Sequence, residues 1–357
     1  MTNNRVVVAM SGGVDSSVCA WLLKRQGYDP VGVTIQTWSS GECRDERSKG
    51  CCSLRDIDDA RSVARKLGIP HYVMDLSADF KARVVDNFID EYLRGRTPNP
   101  CIECNRHIKF GILLGKAAEL EASHVATGHY ARSGLDPASG RRFIREGADP
   151  SKDQSYVLFG LSQAQLERTL LPVGELTKTE VRGIARELGL RVSDKPDSQE
   201  ICFVPKNYTE FVEGAASSRL AGEGELVGTD GTVLGIHGGS HRFTVGQRKR
   251  IRVTAAEPYY VTGIDGAANR VTVGRERELY RDTMDVARVN WMLPLRTGGV
   301  SVKIRYRHPK TPAEIVSIEE GGARARVRFA VPQKAVTPGQ IAVFYEGDRV
   351  LGGGWIE

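Results

Sequence analysis

Three short stretches carry residues whose types and spacing suit chemistry. The first is Ser11-Gly12-Gly13-Val14-Asp15-Ser16, set between the apolar run Val6 to Ala9 and a helical pattern of Val14, Val18, Trp21 and Leu22. Two glycines let the backbone turn tightly, and amides at a helix N-terminus can surround a polyphosphate with no Cβ in the way. The loop lacks the Lys of a Walker A motif and the third Gly of a dinucleotide fingerprint, which argues against a hydrolytic NTPase and a nicotinamide fold. The second stretch is Asn99-Pro100-Cys101-Ile102-Glu103-Cys104-Asn105, expected to open a helix with Arg106, His107 and Lys109 close behind. A thiol at a helix N-terminus beside cations has its thiolate favoured, which makes Cys104 a candidate nucleophile. The third is Asp197-Ser198-Gln199-Glu200-Ile201-Cys202-Phe203. A lone Cys beside Phe203 also reads as a small buried hydrophobe, and sequence alone does not bring it to Cys104.

The elements that position these residues follow from periodicity. Up to about residue 200, short apolar strands (6–9, 31–35, 71–74, 125–127) alternate with amphipathic helices marked by Ile57, Ala60, Ala64 and Leu67, then by Phe80, Val84, Phe88 and Tyr92, then by Ile108, Ile112, Leu113, Ala117 and Leu120. Alternation of this kind predicts an α/β fold, a parallel sheet covered by helices on both faces, with ligands beyond the carboxyl ends of the strands. From about residue 222 the pattern becomes short β-branched runs such as 270–273, 300–304 and 325–329, with turns expected at Gly298-Gly299, Gly321-Gly322 and Pro338-Gly339. A break near 276–282 divides this β half. The expected domains are therefore 1–207, an α/β catalytic domain; 208–280, a small β-rich linking domain; and 281–357, a C-terminal β-barrel.

Composition narrows the class. The chain has 357 residues, 40% hydrophobic and 26% charged, which excludes disorder and collagen-like repetition. Its apolar runs of about five residues fall far short of the roughly 18 that a membrane span needs. Strand character begins at Arg5, so no secretory or transit segment is expected and the expected address is cytoplasmic. Seven cysteines (19, 43, 51, 52, 101, 104 and 202) in a reducing compartment point to chemistry or metal binding rather than a disulfide framework. The formal charge of +6 permits an anionic partner. Arg242, Arg248, Lys249, Arg250 and Arg252 form the densest cationic run, and residues 301–357 carry nine Lys plus Arg against six Asp plus Glu, a balance suited to gripping phosphates.

The loop at 11–16 resembles the pyrophosphate (PP) loop of the ATP-pyrophosphatase superfamily, whose members split ATP between its α and β phosphates and adenylate a substrate oxygen. The resemblance implies contacts to ATP and its magnesium from Ala9, Met10, Ser11, Gly12, Gly13, Val14, Asp15 and Ser16, with Ile35 and Gly128 flanking the adenosine. The two Cys motifs then occur in order with Lys152-Asp153-Gln154-Ser155-Tyr156, Gly246-Gln247-Arg248-Lys249, Arg305-Tyr306, Thr337-Pro338-Gly339-Gln340 and Leu351-Gly352-Gly353-Gly354. Together they resemble the tRNA-specific 2-thiouridylase family over essentially the whole chain. That resemblance implies sulfur replacing the 2-oxygen of the wobble uridine of tRNA, with Cys202 carrying the sulfur as a persulfide, Cys104 completing the transfer and a transient disulfide joining the two. It implies that Asn99, Pro100 and Cys101 line the flipped base, that His129, Lys152, Asp153 and Gln154 contact tRNA nearby, and that Arg305, Tyr306 and Gln340 contact it from the barrel. It also implies a sulfur-donor protein, either a persulfide carrier or a cysteine desulfurase, and a monomer.

Cys101 departs from a common pattern of the family, in which Asp stands at this position. A second route therefore stays open, an iron–sulfur cluster held by Cys101, Cys104 and Cys202 with one iron left to carry sulfide. Cys43, Cys51 and Cys52 would supply a fourth ligand, or join a zinc site with Cys101 and Cys104; exposed thiols are the default reading of their polar loop. Two rivals remain beside the sulfurtransferase reading, a pyrophosphatase-type ligase acting on a small metabolite and an ATP-responsive RNA-binding module without turnover.

Overall fold

A computed structural model describes residues 4–38, 54–197, 201–204 and 207–357; Cys43, Cys51, Cys52 and Ser198-Gln199-Glu200 lie outside the described residues. The chain divides into two compact units, one of residues 1–84, 101–205 and 348–350, the other of 85–100, 206–347 and 351–357. Among the described residues no helix is long and apolar enough to cross a membrane.

The first unit is built on β1 (Arg5–Ala9), β2 (Asp29–Gln36), β3 (His71–Asp75), β4 (His124–Ala126) and a short strand, Thr169–Leu170, all parallel in the order β3-β2-β1-β4 and then Thr169–Leu170. Val6, Val7 and Val8 are all fully buried, yet only Val6 and Val8 join the core formed with α1 (Val14–Arg25) and α2 (Leu54–Leu67). Val7 points to the other side, as alternation along a strand requires, so both faces of β1 are covered. Val181, Ala185, Leu190 and Val192 complete the α1 core from α3 (Lys178–Glu187) and the segment behind it. The order of strands reverses between β1 and β4, so the crevice at their carboxyl ends is the switch point where such sheets bind ligands.

Two features of this unit depart from the sequence expectation. An antiparallel hairpin, Ala131–Leu135 with Arg142–Glu146, interrupts the strand–helix alternation. Its strands are short and turn around Asp136 to Gly140, and Arg132, Arg141, Arg142 and Arg145 mask the β pattern in the sequence. The helix that begins at Pro100 also runs π-helically from Cys104 to Ile112.

The second unit contains a four-stranded sheet of Gly224–Gly228, Val233–His237, Tyr260–Asp265 and Arg270–Gly274, in spatial order third, fourth, first, second. Six further strands, Tyr280–Trp291, Gly298–Lys303, Thr311–Glu319, Arg324–Lys334, Ile341–Glu346 and Arg349–Ile356, form a closed barrel in which the first pairs with the last. Gly298 and Gly299, expected in a turn, instead open a strand and pair with Ile315 and Glu314. Gly321-Gly322 and Pro338-Gly339 do lie in turns.

Candidate active site

The phosphate loop is shaped by its own hydroxyls. Ser16 Oγ accepts from the Ser11 amide at 3.2 Å and donates to the Gly13 carbonyl at 3.1 Å, while Ser17 Oγ donates to that carbonyl at 2.8 Å. Gly13 is the N-cap of α1 and no side chain caps the helix, so its first amides and the positive end of its dipole are presented to an anion. Gly12 has φ of +70°, and a Cβ there would come within 2.2 Å of the Asp56 carbonyl oxygen, so only glycine lets α2 approach the loop this closely. Gly128, following β4, lies against the opposite side: its Cβ would sit 2.6 Å from the Asp15 carbonyl carbon and 2.7 Å from the Ser16 amide nitrogen. Gly128 therefore closes the crevice by packing on the loop backbone. Ala9 and Met10 lead from β1 into the loop, with Met10 buried, and half-buried Ile35 is the last residue but one of neighbouring β2.

Asp15 does not stand alone. Its carboxylate accepts two bonds from Lys178 Nζ, at 2.7 and 2.9 Å, and one from the Tyr130 hydroxyl at 2.7 Å. Lys178 also pairs with Asp197 at 2.7 Å, and Asp197 takes Lys152 at 2.8 Å and Arg182 at 3.5 Å. Burial works to raise the Asp197 carboxyl, but hydrogen bonds from Lys152 and Lys178 outweigh it and hold the carboxyl below its ordinary range. Burial, and then the adjoining Asp15 charge, push the Tyr130 phenol up, so it stays a neutral donor. Asp149 adjoins the hub, its carboxylate accepting from the Lys178 amide at 3.0 Å, so Lys152, Lys178 and Arg182 stand beside the uncapped helix with carboxylate partners they can exchange for phosphate oxygens. That arrangement suits a polyphosphate.

Sequence reasoning did not single out Lys178, Tyr130 or Arg182, and it gave Asp197 no role. One signal was legible: Thr177-Lys178-Thr179-Glu180 is a capping box, and the structure confirms both of its reciprocal bonds. It places Lys178 in the first turn of α3, where a cation opposes the helix dipole. A local preference broken at a well-capped helix start marks a residue held for another reason.

Behind the loop, Lys195 Nζ donates to the Gly12 carbonyl at 2.9 Å and pairs with Asp56 at 2.6 Å and Asp59 at 2.7 Å. Burial alone would lower its pKa, but the two carboxylates raise it, so the ammonium is fixed as a charged strut between α2 and the loop. Lys195→Met should raise the apparent KM for ATP roughly tenfold, the effect of about 1.4 kcal/mol of lost positioning, with kcat changed much less. An unchanged KM would remove Lys195 from the site.

The sulfur residues are placed differently from the sequence expectation in one respect. The helix opens at Pro100, so exposed Cys101 lies in its first turn and half-buried Cys104 begins the second. Helix-dipole stabilisation fades beyond the first turn, and it therefore favours Cys101 more than Cys104. The expected cationic neighbours are also engaged: His107 Nε2 lies 3.1 Å and Arg106 3.9 Å from buried Glu103. Burial pushes His107 below its ordinary value against the pull of Glu103, so the ring is neutral at neutral pH. Half-buried Cys202 and buried Phe203 lie in a turn closed by the Val204 amide on the Ile201 carbonyl at 3.0 Å.

Several residues assigned to RNA by resemblance serve the fold in this structure. His129 is buried against Thr127 at 2.7 Å, and burial, then nearby Lys109, lowers its pKa well below the ordinary value. Buried Asp153 accepts from the Gly147 and Ser155 amides, and Gln154 Oε1 accepts from the Tyr130 amide at 2.9 Å. Lys152 is paired with Asp197. In the second unit Arg305 donates to the carbonyls of Lys334 and Ala335, and Gln340 Nε2 donates to the Thr97 carbonyl at 2.9 Å, while the Thr97 amide donates to Pro338. The Thr337–Gln340 turn thus grips the strand of chain leading to half-buried Asn99 and buried Pro100. Tyr306, 38% exposed, and exposed Arg248, Lys249 and Arg252 face solvent, whereas Arg242 is paired with Glu213 at 2.6 Å.

An uncapped glycine-loop helix at a sheet's switch point, faced by a lysine shared between two carboxylates, is a nucleotide-binding α/β site that agrees with the ATP-pyrophosphatase class its loop sequence resembles. The comparisons narrow this further. Residues 4–206 match the model of the tRNA methyl transferase HUP domain, 209–275 that of the tRNA methyl transferase PRC-barrel domain and 281–356 that of the aminomethyltransferase beta-barrel domain. The chain is 50% identical, over 99% of its length and 95% of the relative's, to the tRNA-specific 2-thiouridylase MnmA of Geotalea uraniireducens (strain Rf4). It is 49% identical to that of Geobacter metallireducens (99% and 96%) and 49% identical to that of Acidobacterium capsulatum (99% and 99%). The chain belongs to the tRNA-specific 2-thiouridylase family.

Proposed function

We propose that this enzyme replaces the 2-oxygen of the wobble uridine of tRNA with sulfur at the expense of ATP. The observation that carries the reading is the near full-length identity to named 2-thiouridylases in a chain that holds the phosphate loop, Cys104 and Cys202. The uridine 2-carbonyl is a poor electrophile. Its oxygen attacks the α-phosphorus of ATP, pyrophosphate departs, and C2 then bears AMP as a leaving group. The Cys104 thiolate attacks Sγ of a Cys202 persulfide and the persulfide S–S bond breaks. Hydrosulfide is released to displace AMP from C2, and a Cys104–Cys202 disulfide remains for a thiol reductant to reopen.

In this reading the amides opening α1 and the ammonium of Lys178 receive the phosphates, and Lys178 exchanges Asp15 for phosphate oxygens. Asp15, with the Ser11 and Ser16 hydroxyls beside it, offers the hard oxygen donors that magnesium prefers, and magnesium when bound neutralises charge on the phosphates. The persulfide route is preferred to a cluster on Cys101, Cys104 and Cys202 because these supply only three of the usual four Cys ligands. Asn99, Pro100 and Cys101 would line the base, which must leave its stack to be reached, and exposed Arg248, Lys249, Arg250 and Arg252 with Tyr306 would contact RNA phosphates and bases. The domain limits 1–207, 208–280 and 281–357, a monomer in the cytoplasm and a persulfide-carrying donor protein belong to the same reading.

Incubation with ATP, magnesium, unmodified tRNA and a persulfide donor should yield AMP, pyrophosphate and 2-thiouridine in nuclease digests. AMP formation indifferent to tRNA, or dependent on a small metabolite, would favour the ligase rival. Binding of tRNA and ATP with no AMP at all would favour the non-catalytic module.

A further inference from the structure

We propose that Phe203 is a positioning residue that docks the Cys202 turn onto an aromatic shelf made by Trp38 and Phe80. The inference rests on Cys202 being the sulfur carrier and adds what holds it. The shelf grows from the sheet. The Gln36 carbonyl at the end of β2 accepts from the Leu76 amide at 2.9 Å, the Leu76 carbonyl accepts from the Phe80 amide at 2.8 Å, and Gln36 Nε2 donates to the Trp38 carbonyl at 2.9 Å. These bonds fix Trp38 and Phe80 beyond the carboxyl end of β2, the neighbour of the strand that delivers the phosphate loop.

Phe203 completes the cluster. Its ring centroid is 5.7 Å from that of Phe80, nearly perpendicular at 79°, and 6.4 Å from that of Trp38, while Trp38 and Phe80 are 6.4 Å apart. All three separations fall within the range of about 4.5–7 Å in which rings attract through edge-to-face contact. Phe80 is 1% and Phe203 5% exposed, whereas the adjoining Cys202 is only half-buried. Adjacent residues in the turn thus differ: Phe203 is anchored in the aromatic cluster, while Cys202 beside it stays half-buried. Sulfur transfer needs reacting atoms within about 3–3.5 Å, and misplacement by about 1 Å can cost roughly 100-fold. A ring seated one residue from the carrier supplies that precision, and adenylation, which uses the phosphate loop, does not depend on it.

The test separates the two halves of the reaction. Phe203→Ala should lower 2-thiouridine formation 10- to 100-fold and slow formation of the Cys104–Cys202 disulfide, with tRNA-dependent AMP release within threefold of the parent. Phe203→Tyr, which keeps the ring, should restore thiolation. Wild-type thiolation by folded Phe203→Ala, or a parallel loss of AMP release and thiolation, would overturn the proposal. If the alanine variant fails to fold, Phe203→Leu is judged by the same ratio. The underlying reading fails separately: Cys202→Ala retaining thiolation would show that Cys202 is not the carrier, whatever Phe203 does.

Discussion

Lys178→Met should reduce tRNA-dependent AMP release by at least 100-fold while tRNA still binds, the scale expected when a positioned charge is removed from a developing phosphoryl transition state. Lys178 is 9% exposed and its ammonium contacts both Asp15 oxygens and Asp197. Removing one member of a buried ion pair typically costs roughly 3–5 kcal/mol, because the remaining charge is left uncompensated. Here the carboxylates keep other partners and part of their hydration, so the stability loss should lie at or below the lower end of that range and the variant should fold. Lys178→Arg keeps the charge without the compact ammonium and should recover only part of the rate. A pH experiment checks the hub independently. Asp197 has a lowered carboxyl pKa, so its contribution to stability is present above the unfolded value and is lost as pH falls through the folded one. Without Lys178 the folded value rises, and acid unfolding should begin at a higher pH than in the parent. Full AMP release by the methionine variant would remove Lys178 from the chemistry.

Much of this site was legible from residue order, and what was not shares a physical cause. The phosphate loop announced itself because its determinants are contiguous: strand, two glycines and helix, all within residues 5–25. Cys104 and Cys202 stood out for a similar reason, each within a short motif of its own. The charge hub did not, because Asp15, Tyr130, Lys152, the α3 pair Lys178 and Arg182, and Asp197 come from five separate places and meet only when the sheet and α3 are assembled. The hairpin after β4 was missed for another reason: half-buried arginines on its strands erased the apolar alternation that marks a strand. Helix periodicity located the Pro100 helix but not its first residue: the helix opens at Pro100, which puts Cys101 in the first turn and leaves Cys104 to begin the π-helical stretch behind it. Gln340 shows the opposite case. Its motif was visible, yet its side chain is used to hold the Thr97 backbone, a contact that no spacing rule encodes.

Cys104→Ala and Cys202→Ala should each abolish 2-thiouridine while leaving tRNA-dependent AMP release largely intact, the mirror image of Lys178→Met. Both thiols are half-buried, so truncation to alanine leaves little cavity and melting temperatures should change by no more than a few degrees. The asymmetry follows from the order of events: pyrophosphate leaves before any sulfur is needed, so a thiol-free enzyme still adenylates and then releases AMP to water. Millimolar hydrosulfide supplied from solution should partly rescue Cys202→Ala, because it can attack the adenylated carbon without a carrier. It should rescue Cys104→Ala as well, since that residue serves to liberate sulfide from the persulfide. Rescue of only one variant would instead assign the other thiol a direct bond to the nucleobase carbon. Substantial thiolation by either alanine variant without added sulfide would show that the sulfur travels by another route.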